Sequence, residues 1–389
     1  MTHSIRPSLE LGDVVRRFGP AYIQNQGEHL LPSQHKALQD IMVCHTAEMG
    51  GHRYLCGDCD ETFWIYHGCG NRSCPSCHTK KMREWIDKRE EQMLGCRYFH
   101  VVVTVPESMR SAFSANQKIL YGLLMTTVAS CVKDLVHDPK FVGAKPAILT
   151  VMHTWRSDLD YHPHVHLLVS AGGVSDDGQH WIKPRNKKWL LPIRALSKLV
   201  RRRFRARLKE LAPELFKRID SQVWKKGWNS FCKPYGKGAK AVLNYLGRYV
   251  YRVAITNNRI VAMDDTHVTI RCKKSKGKHG RTLRLRGEEF LRRFVMHVLP
   301  RGFHKVRYYG LWHHSQRETR ERIRLLLAPK IESIPIPKLT GHLAVTEGDK
   351  SNPTTDPNGQ EPSPELPPCP HCKSRNVRLI GVLVRNRSP

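Results

Sequence analysis

The chain is 389 residues long, carries 65 Lys and Arg against 34 Asp and Glu, and is 40% hydrophobic. That length allows two or three domains with at least one sizeable core, while the net charge of +31 is too large an excess for a small-molecule enzyme and points to a polyanionic partner. No run reads as the roughly 18 apolar residues of a spanning helix and the N-terminus lacks a signal-peptide stretch, so nucleic acid is favoured over membrane and an intracellular setting is expected.

In chain order, Leu38, Ile41 and Met42 stand at near-helical spacing and predict a helix over Ser33–Val43. A cysteine block follows: Cys44-His45, His52, Cys56-Gly57-Asp58-Cys59, His67-Gly68-Cys69 and Cys74-Pro75-Ser76-Cys77. In a long chain without an export signal, CxxC pairs bind zinc more often than they form disulfides. Two such knuckles separated by fourteen residues suit a four-thiolate tetrahedral site, so Cys56, Cys59, Cys74 and Cys77 are the expected ligands of a structural zinc. Cys44, His52, His67 and Cys69 remain over, for a second zinc or in place of one of the four. Arg53, Arg72, Lys80, Lys81 and Arg83 around them make the module a candidate DNA contact.

Residues 97–105 read as a buried strand stopped by Pro106, 114–135 as an amphipathic helix covering a sheet, and 147–155 as a strand in a hairpin with the next one. That next strand is His162-Pro163-His164-Val165-His166-Leu167-Leu168-Val169, closed by Gly172-Gly173. Alternation sends His162, His164 and His166 to one face and Val165, Leu167 and Val169 to the other, so one face can bind a metal while its back joins a core.

Between Lys183 and Lys209 stand twelve basic residues and no acid, Arg201, Arg202 and Arg203 among them; residues 271–286 add eight more in a β-hairpin pattern. Such runs are candidate phosphate contacts rather than merely solvated faces. Trp181, Trp189, Trp224 and Trp228 are candidates to stack on bases, although aromatics are more often core. Further on, a helix over residues 239–253 lines Val242, Leu246, Val250 and Val253 along one side, with Tyr245, Arg248, Tyr249 and Arg252 along another. Residues 287–299 predict a helix, 305–312 a strand, and 313–327 a basic helix. From 334 to 368 the composition is that of a linker, and Cys369-Pro370-His371-Cys372 after it is either half a zinc site or a tail. The resulting partition is 1–95 (helix and zinc-binding domain), 96–328 (catalytic domain) and 329–389 (linker and CxxC tail).

The histidine strand, the Tyr245-Leu246-Gly247-Arg248-Tyr249 segment, Tyr98-Phe99-His100, Tyr308-Tyr309-Gly310 and the cysteine block, in that combination, resemble one family over residues 35–325: the two-tyrosine HUH rolling-circle transposases of bacterial insertion sequences, with their N-terminal zinc-binding domain. The resemblance implies an α+β HUH nuclease domain with a central antiparallel sheet and flanking helices, preceded by a small zinc-binding domain. It implies a catalytic Mg²⁺ or Mn²⁺ on His164 and His166, with a third ligand open between His162 and Asn244. It implies Tyr245 and Tyr249 as nucleophiles, Arg248 and Arg252 as phosphate contacts, and single-stranded DNA at transposon ends as substrate in the bacterial cytoplasm. The rival readings are a replication initiator or relaxase, which share the strand and the helix, and a non-catalytic zinc-finger DNA-binding protein.

Overall fold

The computed structural model describes residues 9–90, 92–186, 188–235, 247, 250, 253–273, 280–328 and 366–385. The strands are β1 (Gly51–Cys56), β2 (Thr62–Tyr66), β3 (Tyr98–Thr104), β4 (Ala147–Trp155), β5 (Tyr161–Ser170), β6 (Gly173–Val174), β7 (Trp181–Ile182), β8 (Ser230–Tyr235), β9 (Ile260–Met263), β10 (His267–Arg271), β11 (Thr282–Arg286), β12 (Val306–Gly310) and β13 (Val377–Leu383). The described helices are α1 (Leu11–Gln26), α2 (Pro32–Met42), α3 (His78–Glu90), α4 (Arg110–Ala115), α5 (Gln117–His137), α6 (Ile193–Leu211), α7 (Pro213–Lys217), α8 (Gly287–Val295) and α9 (Arg317–Leu326). The protein is α+β with antiparallel sheets.

Its contacts divide into two units, Met1–Cys44 with Gly68–Ala328 and His45–His67 with Pro329–Pro389. This division differs from the 1–95, 96–328 and 329–389 partition, and strand pairing is the reason. β1 pairs with β2 on one side and with the C-terminal β13 on the other, so the cysteine block is cut between units.

The larger unit is organised on a five-stranded antiparallel sheet in the order β12-β4-β5-β3-β8, with the histidine strand β5 in the middle. Cross-strand pairs put Val165, Leu167 and Val169 on the same face as Val103, Val101 and Phe99 of β3, and all six are essentially fully buried. Each such side chain contributes about 1.5–3 kcal/mol on burial. α5 and α6 cover this face, α6 with Leu196, Val200, Phe204 and Leu208 at one-turn spacing. By length and composition α5 would also pass for a membrane span, against the expectation that no run does; most of it is buried in the unit, as in a core helix. Trp224 and Trp228 belong to the same core, which removes them from the base-stacking candidates, whereas Trp189 is exposed.

The opposite face carries Tyr98, Leu149, Val151 and Leu168, packed with Val250, Trp312 and Ile323 and with Trp85 and Ile86 of α3. A second core joins α1, α2 and α8 to the β9–β11 sheet through Leu11, Leu38, Ile41, Val268, Phe290 and Phe294. β5 stops where Gly172 takes φ +114°, and a Cβ there would stand 2.3 Å from the Ile182 carbonyl oxygen, so only glycine fits this turn.

Candidate functional site

Three side chains on the second face of the large sheet converge. His153 of β4 is the cross-strand partner of His164 on β5, and His166 lies one alternation further along the same face. One ligand nitrogen from each of His153, His164 and His166 falls within 4.8 Å of the others. The ring centroids are 4.5 Å apart for His153–His166, 4.7 Å for His164–His166 and 5.6 Å for His153–His164. His153 is 2% exposed and stacks on Trp155 at 4.5 Å. Of the two expected third ligands, His162 is not part of this group among the described residues. His162 takes a hydrogen bond at Nδ1 from Arg110 Nη2 at 3.0 Å, and Asn244 lies outside the described residues. The signal for His153 was a lone titratable residue in the largely apolar run Ala147–Trp155, every residue of which is buried.

Two hydrogen bonds fix how these rings present themselves. Nδ1 of His164 donates to the His162 carbonyl oxygen at 2.6 Å, which leaves its Nε2 with a lone pair. Nδ1 of His166 is 2.8 Å from Nε2 of His100 on β3; when it donates there, the lone pair of His166 is on Nε2, the tautomer that ligates a metal through that atom. Burial pushes His100 down to about 4, so this partner is neutral near pH 7. On the edge strand β8, Phe231 and Lys233 face the same side, paired with Val102 and His100. Phe231 is 39% exposed, and Lys233 Nζ stands 5.1 Å from its ring centroid.

Tyr245, Arg248, Tyr249 and Arg252 lie outside the described residues. Of that segment, Val250 packs on the histidine face beside Leu168 and Trp312, and a Cβ on Gly247 would meet Ile86 of α3 at 2.7 Å. Arg201, Arg202 and Arg203 sit on α6, in the layer behind the opposite face. Arg203 is engaged there, its Nη1 2.7 Å from Asp134 and 2.6 Å from Ser130 Oγ. Arg201 donates to the Lys225 carbonyl at 2.8 Å, and Arg202 is exposed.

The cysteines form two groups, not the single set of Cys56, Cys59, Cys74 and Cys77. Cys74 and Cys77 join Cys44 and Cys69 in the larger unit; Cys56 and Cys59 join Cys369 and Cys372 in the smaller one. Four sulfurs about 2.3 Å from one zinc stand about 3.8 Å apart. The sulfur separations are 3.7 Å for Cys44–Cys74, 3.5 Å for Cys44–Cys77 and 3.8 Å for Cys69–Cys77 in the first group. In the second they are 3.5 Å for Cys56–Cys372 and 3.7 Å for Cys59–Cys369. These spacings fit zinc and are far beyond a disulfide bond. Backbone amides of Cys69 and Gly70 donate to the Cys44 and Cys77 sulfurs at 3.3 Å, which favours thiolate charge. Without a cation the neighbouring Cys44 sulfur pushes the Cys69 and Cys74 thiols well up, so a bound metal displaces protons. In the second group Asp58, between Cys56 and Cys59, accepts hydrogen bonds from Ser374 Oγ and Asn376 Nδ2, which hold its carboxyl below the usual range.

Residues 147–320 match the family model described as "Putative transposase", and residues 14–105 match that of a "Transposase zinc-binding domain". The chain is 36% identical over 332 residues to "Putative transposase y4qJ" of Sinorhizobium fredii (strain NBRC 101917 / NGR234), covering 80% of this chain and 82% of that protein. It is 25% identical over 286 residues to "Transposase for insertion sequence element IS801" of Pseudomonas savastanoi pv. phaseolicola, covering 69% and 68%. No solved structure matches the chain. The histidine group falls inside the first match and the Cys44–Cys77 group inside the second. Together with the thiolate clusters and the basic composition, these matches show that the chain belongs to the transposases of the IS91 and IS801 type, which carry an N-terminal zinc-binding domain.

Proposed function

We propose that this transposase cuts and rejoins single-stranded DNA through an HUH-type tyrosine mechanism, driving rolling-circle transposition in the bacterial cytoplasm. The observation that carries the reading is the convergence of His153, His164 and His166 on one face of the central strand pair. An antiparallel sheet with the histidine strand in its middle supports the HUH nuclease fold.

His153, His164 and His166 would hold a divalent ion, which when bound would polarise the scissile phosphate and offset charge in the in-line displacement. An all-nitrogen donor set suits Mn²⁺ better than the hard, oxygen-seeking Mg²⁺. The hydroxyl of Tyr245 or Tyr249 attacks phosphorus as it loses its proton, the P–O3′ bond breaks, and the proton balance is restored at the departing 3′-oxygen. A 5′-phosphotyrosine and a 3′-hydroxyl result. One phosphodiester replaces another, so rejoining needs no ATP. Arg248 and Arg252 stabilise the phosphate and favour the phenolate, whose ordinary pKa is near 10. Phe231 and Lys233, beside His100 on the edge strand β8, are suited to hold a base and a phosphate of the incoming strand. The two cysteine clusters have structural roles, since four thiolates leave no open metal position.

The test is incubation of the purified protein with Mn²⁺ and labelled single strands bearing candidate end sequences, followed by a denaturing gel. A denaturation-resistant protein–DNA adduct is expected for the wild type, and none for the Tyr245→Phe/Tyr249→Phe double variant. An adduct that persists in the double variant would place the nucleophile elsewhere.

A further inference from the structure

The three-stranded sheet of the smaller unit has two unlike faces. Register puts Tyr54, Cys56, Phe63 and Val377 on one, and that face holds the small core around Cys56, Cys369 and Val377. The other carries Arg53, Trp64, Tyr66, Gly381 and Arg378, none of which belongs to a buried cluster among the described residues. Trp64 is 39% exposed and lies parallel to Tyr66, with 5° between the ring planes and 5.9 Å between centroids. Arg53 is the cross-strand partner of Trp64, is exposed, and its Nη2 donates to Thr62 Oγ1 at 3.3 Å. On the far side of Arg53 stands Gly381. A Cβ added to Gly51 would lie 3.0 Å from Tyr66 Cδ1, so the tyrosine ring spreads over bare backbone.

A sheet face normally buries its apolar side against another layer. Here two parallel, mutually stacked rings and two guanidiniums share one exposed face in a chain of net charge +31. Aromatic side chains on an open sheet stack on splayed bases, and arginine adds stacking and phosphate contact. Bases already stacked inside a duplex cannot use such rings. We infer that this face is a stacking platform for unpaired bases of single-stranded DNA, with Trp64 and Tyr66 as ring surfaces and Arg53 and Arg378 as cations. β13 supplies one edge of the platform, and the Cys56–Cys59–Cys369–Cys372 group ties that strand to β1 and β2. The inference rests on single-stranded DNA being the substrate class, and it gives the zinc-binding region a share in holding that substrate apart from the chemistry.

Binding of a labelled oligothymidylate to the full chain bearing His164→Ala, followed by fluorescence anisotropy, tests this without cleavage. Adding Trp64→Ala or Tyr66→Ala weakens single-strand binding about tenfold, and Trp64→Phe restores most of it, because base–aromatic stacking survives with a smaller ring. Arg53→Ala lowers the salt slope by about one. Blunt duplex of equal length responds much less. If Trp64→Ala releases zinc, Trp64→Phe and Arg53→Ala carry the test, with a smaller loss and a reduced salt slope expected. Single-strand affinity unchanged in these variants at full zinc content overturns the platform, as does equal loss on duplex. Adduct formation by the otherwise native chain is scored separately. Weakened binding with no adduct upholds the platform and sinks the nuclease reading; an adduct with binding unchanged does the reverse.

Discussion

The two cysteine clusters use the same ligands and close very different lengths of chain. In the first, Cys44 and Cys77 are 33 residues apart; in the second, Cys59 and Cys369 are 310 apart. Closing the longer loop costs about 2 kcal/mol more in chain entropy, a small term beside the free energy of a structural zinc site. Ligand choice therefore follows strand pairing rather than nearness in sequence. β13 adds to the edge of β1 and brings its cysteine knuckle with it, whereas the loop after β2 returns to α2 and delivers Cys69, Cys74 and Cys77 to Cys44. The first cluster also fixes the start of α3, whose Trp85 and Ile86 reach the histidine face. One cluster thus supports the candidate active site, and the other completes a sheet.

The sharpest way to break this comparison is by zinc content. Two equivalents are expected in the native chain, one per cluster. Truncation after Ala328, like Cys56→Ser/Cys59→Ser, is expected to remove one of them; a single Cys56–Cys59–Cys74–Cys77 site would be unaffected by the truncation. Cys74→Ser/Cys77→Ser is expected to cost far more. Structural zinc binding is worth on the order of 10 kcal/mol, comparable with a whole domain's stability, so thermal unfolding of the larger unit is expected to lose its cooperative transition.

A smaller effect comes from His297, a buried imidazole packed with Thr154 and Tyr161 on the sheet face opposite His153, His164 and His166. Burial holds His297 down at about 4, with Nδ1 at 3.1 Å from Thr154 Oγ1 and Nε2 at 3.0 Å from the Leu159 carbonyl oxygen. Its unfolded pKa is near 6.5, so between these values the unfolded chain binds the extra proton. This stabilisation is full above about pH 6.5 and is lost as pH falls toward 4, about 2 kcal/mol of it between pH 7 and pH 5. Denaturant midpoints of wild type and His297→Gln across that range check the slope, which is expected to flatten in the variant.

His100→Ala is expected to lower Mn²⁺ affinity about 10–100-fold, as loss of a partner that orients a metal-binding histidine does. Calorimetric titration of the zinc-loaded protein measures it. Smallest is Arg203→Ala, which removes a partly exposed pair with Asp134; a loss of about 0.5–1 kcal/mol in stability is expected, with DNA affinity unchanged. Arg202→Ala is expected to do the opposite, leaving stability intact and reducing the salt dependence of binding.

The strand carrying His164 and His166 was legible because period-two alternation with an apolar back needs only local sequence, and Val165, Leu167 and Val169 are buried in that way. His153 was not, because its place opposite His164 depends on the register of two strands, and a lone histidine in an apolar run carries no register. The cysteine knuckles were legible as metal ligands, but their partners were not, since no local signal says that a strand at residues 377–383 will add to one at 51–56. Helix α2 followed from apolar periodicity to within one residue at each end, and the helix read over 114–135 covers most of α5. The basic run on α6 was legible as a solvent-facing stripe, but a stripe of arginines marks the outward side of a helix and carries no signal for which sheet face the helix covers.

The most direct test of the central claim is His153→Ala, measured by Mn²⁺ titration and adduct formation on the same zinc-loaded preparation. Mn²⁺ binding and adduct formation are expected to fall together, as in His164→Ala, with both zinc equivalents retained. Adduct formation near the wild-type level in His153→Ala, with Mn²⁺ affinity unchanged, would contradict that claim and return the third position to a residue outside this triad.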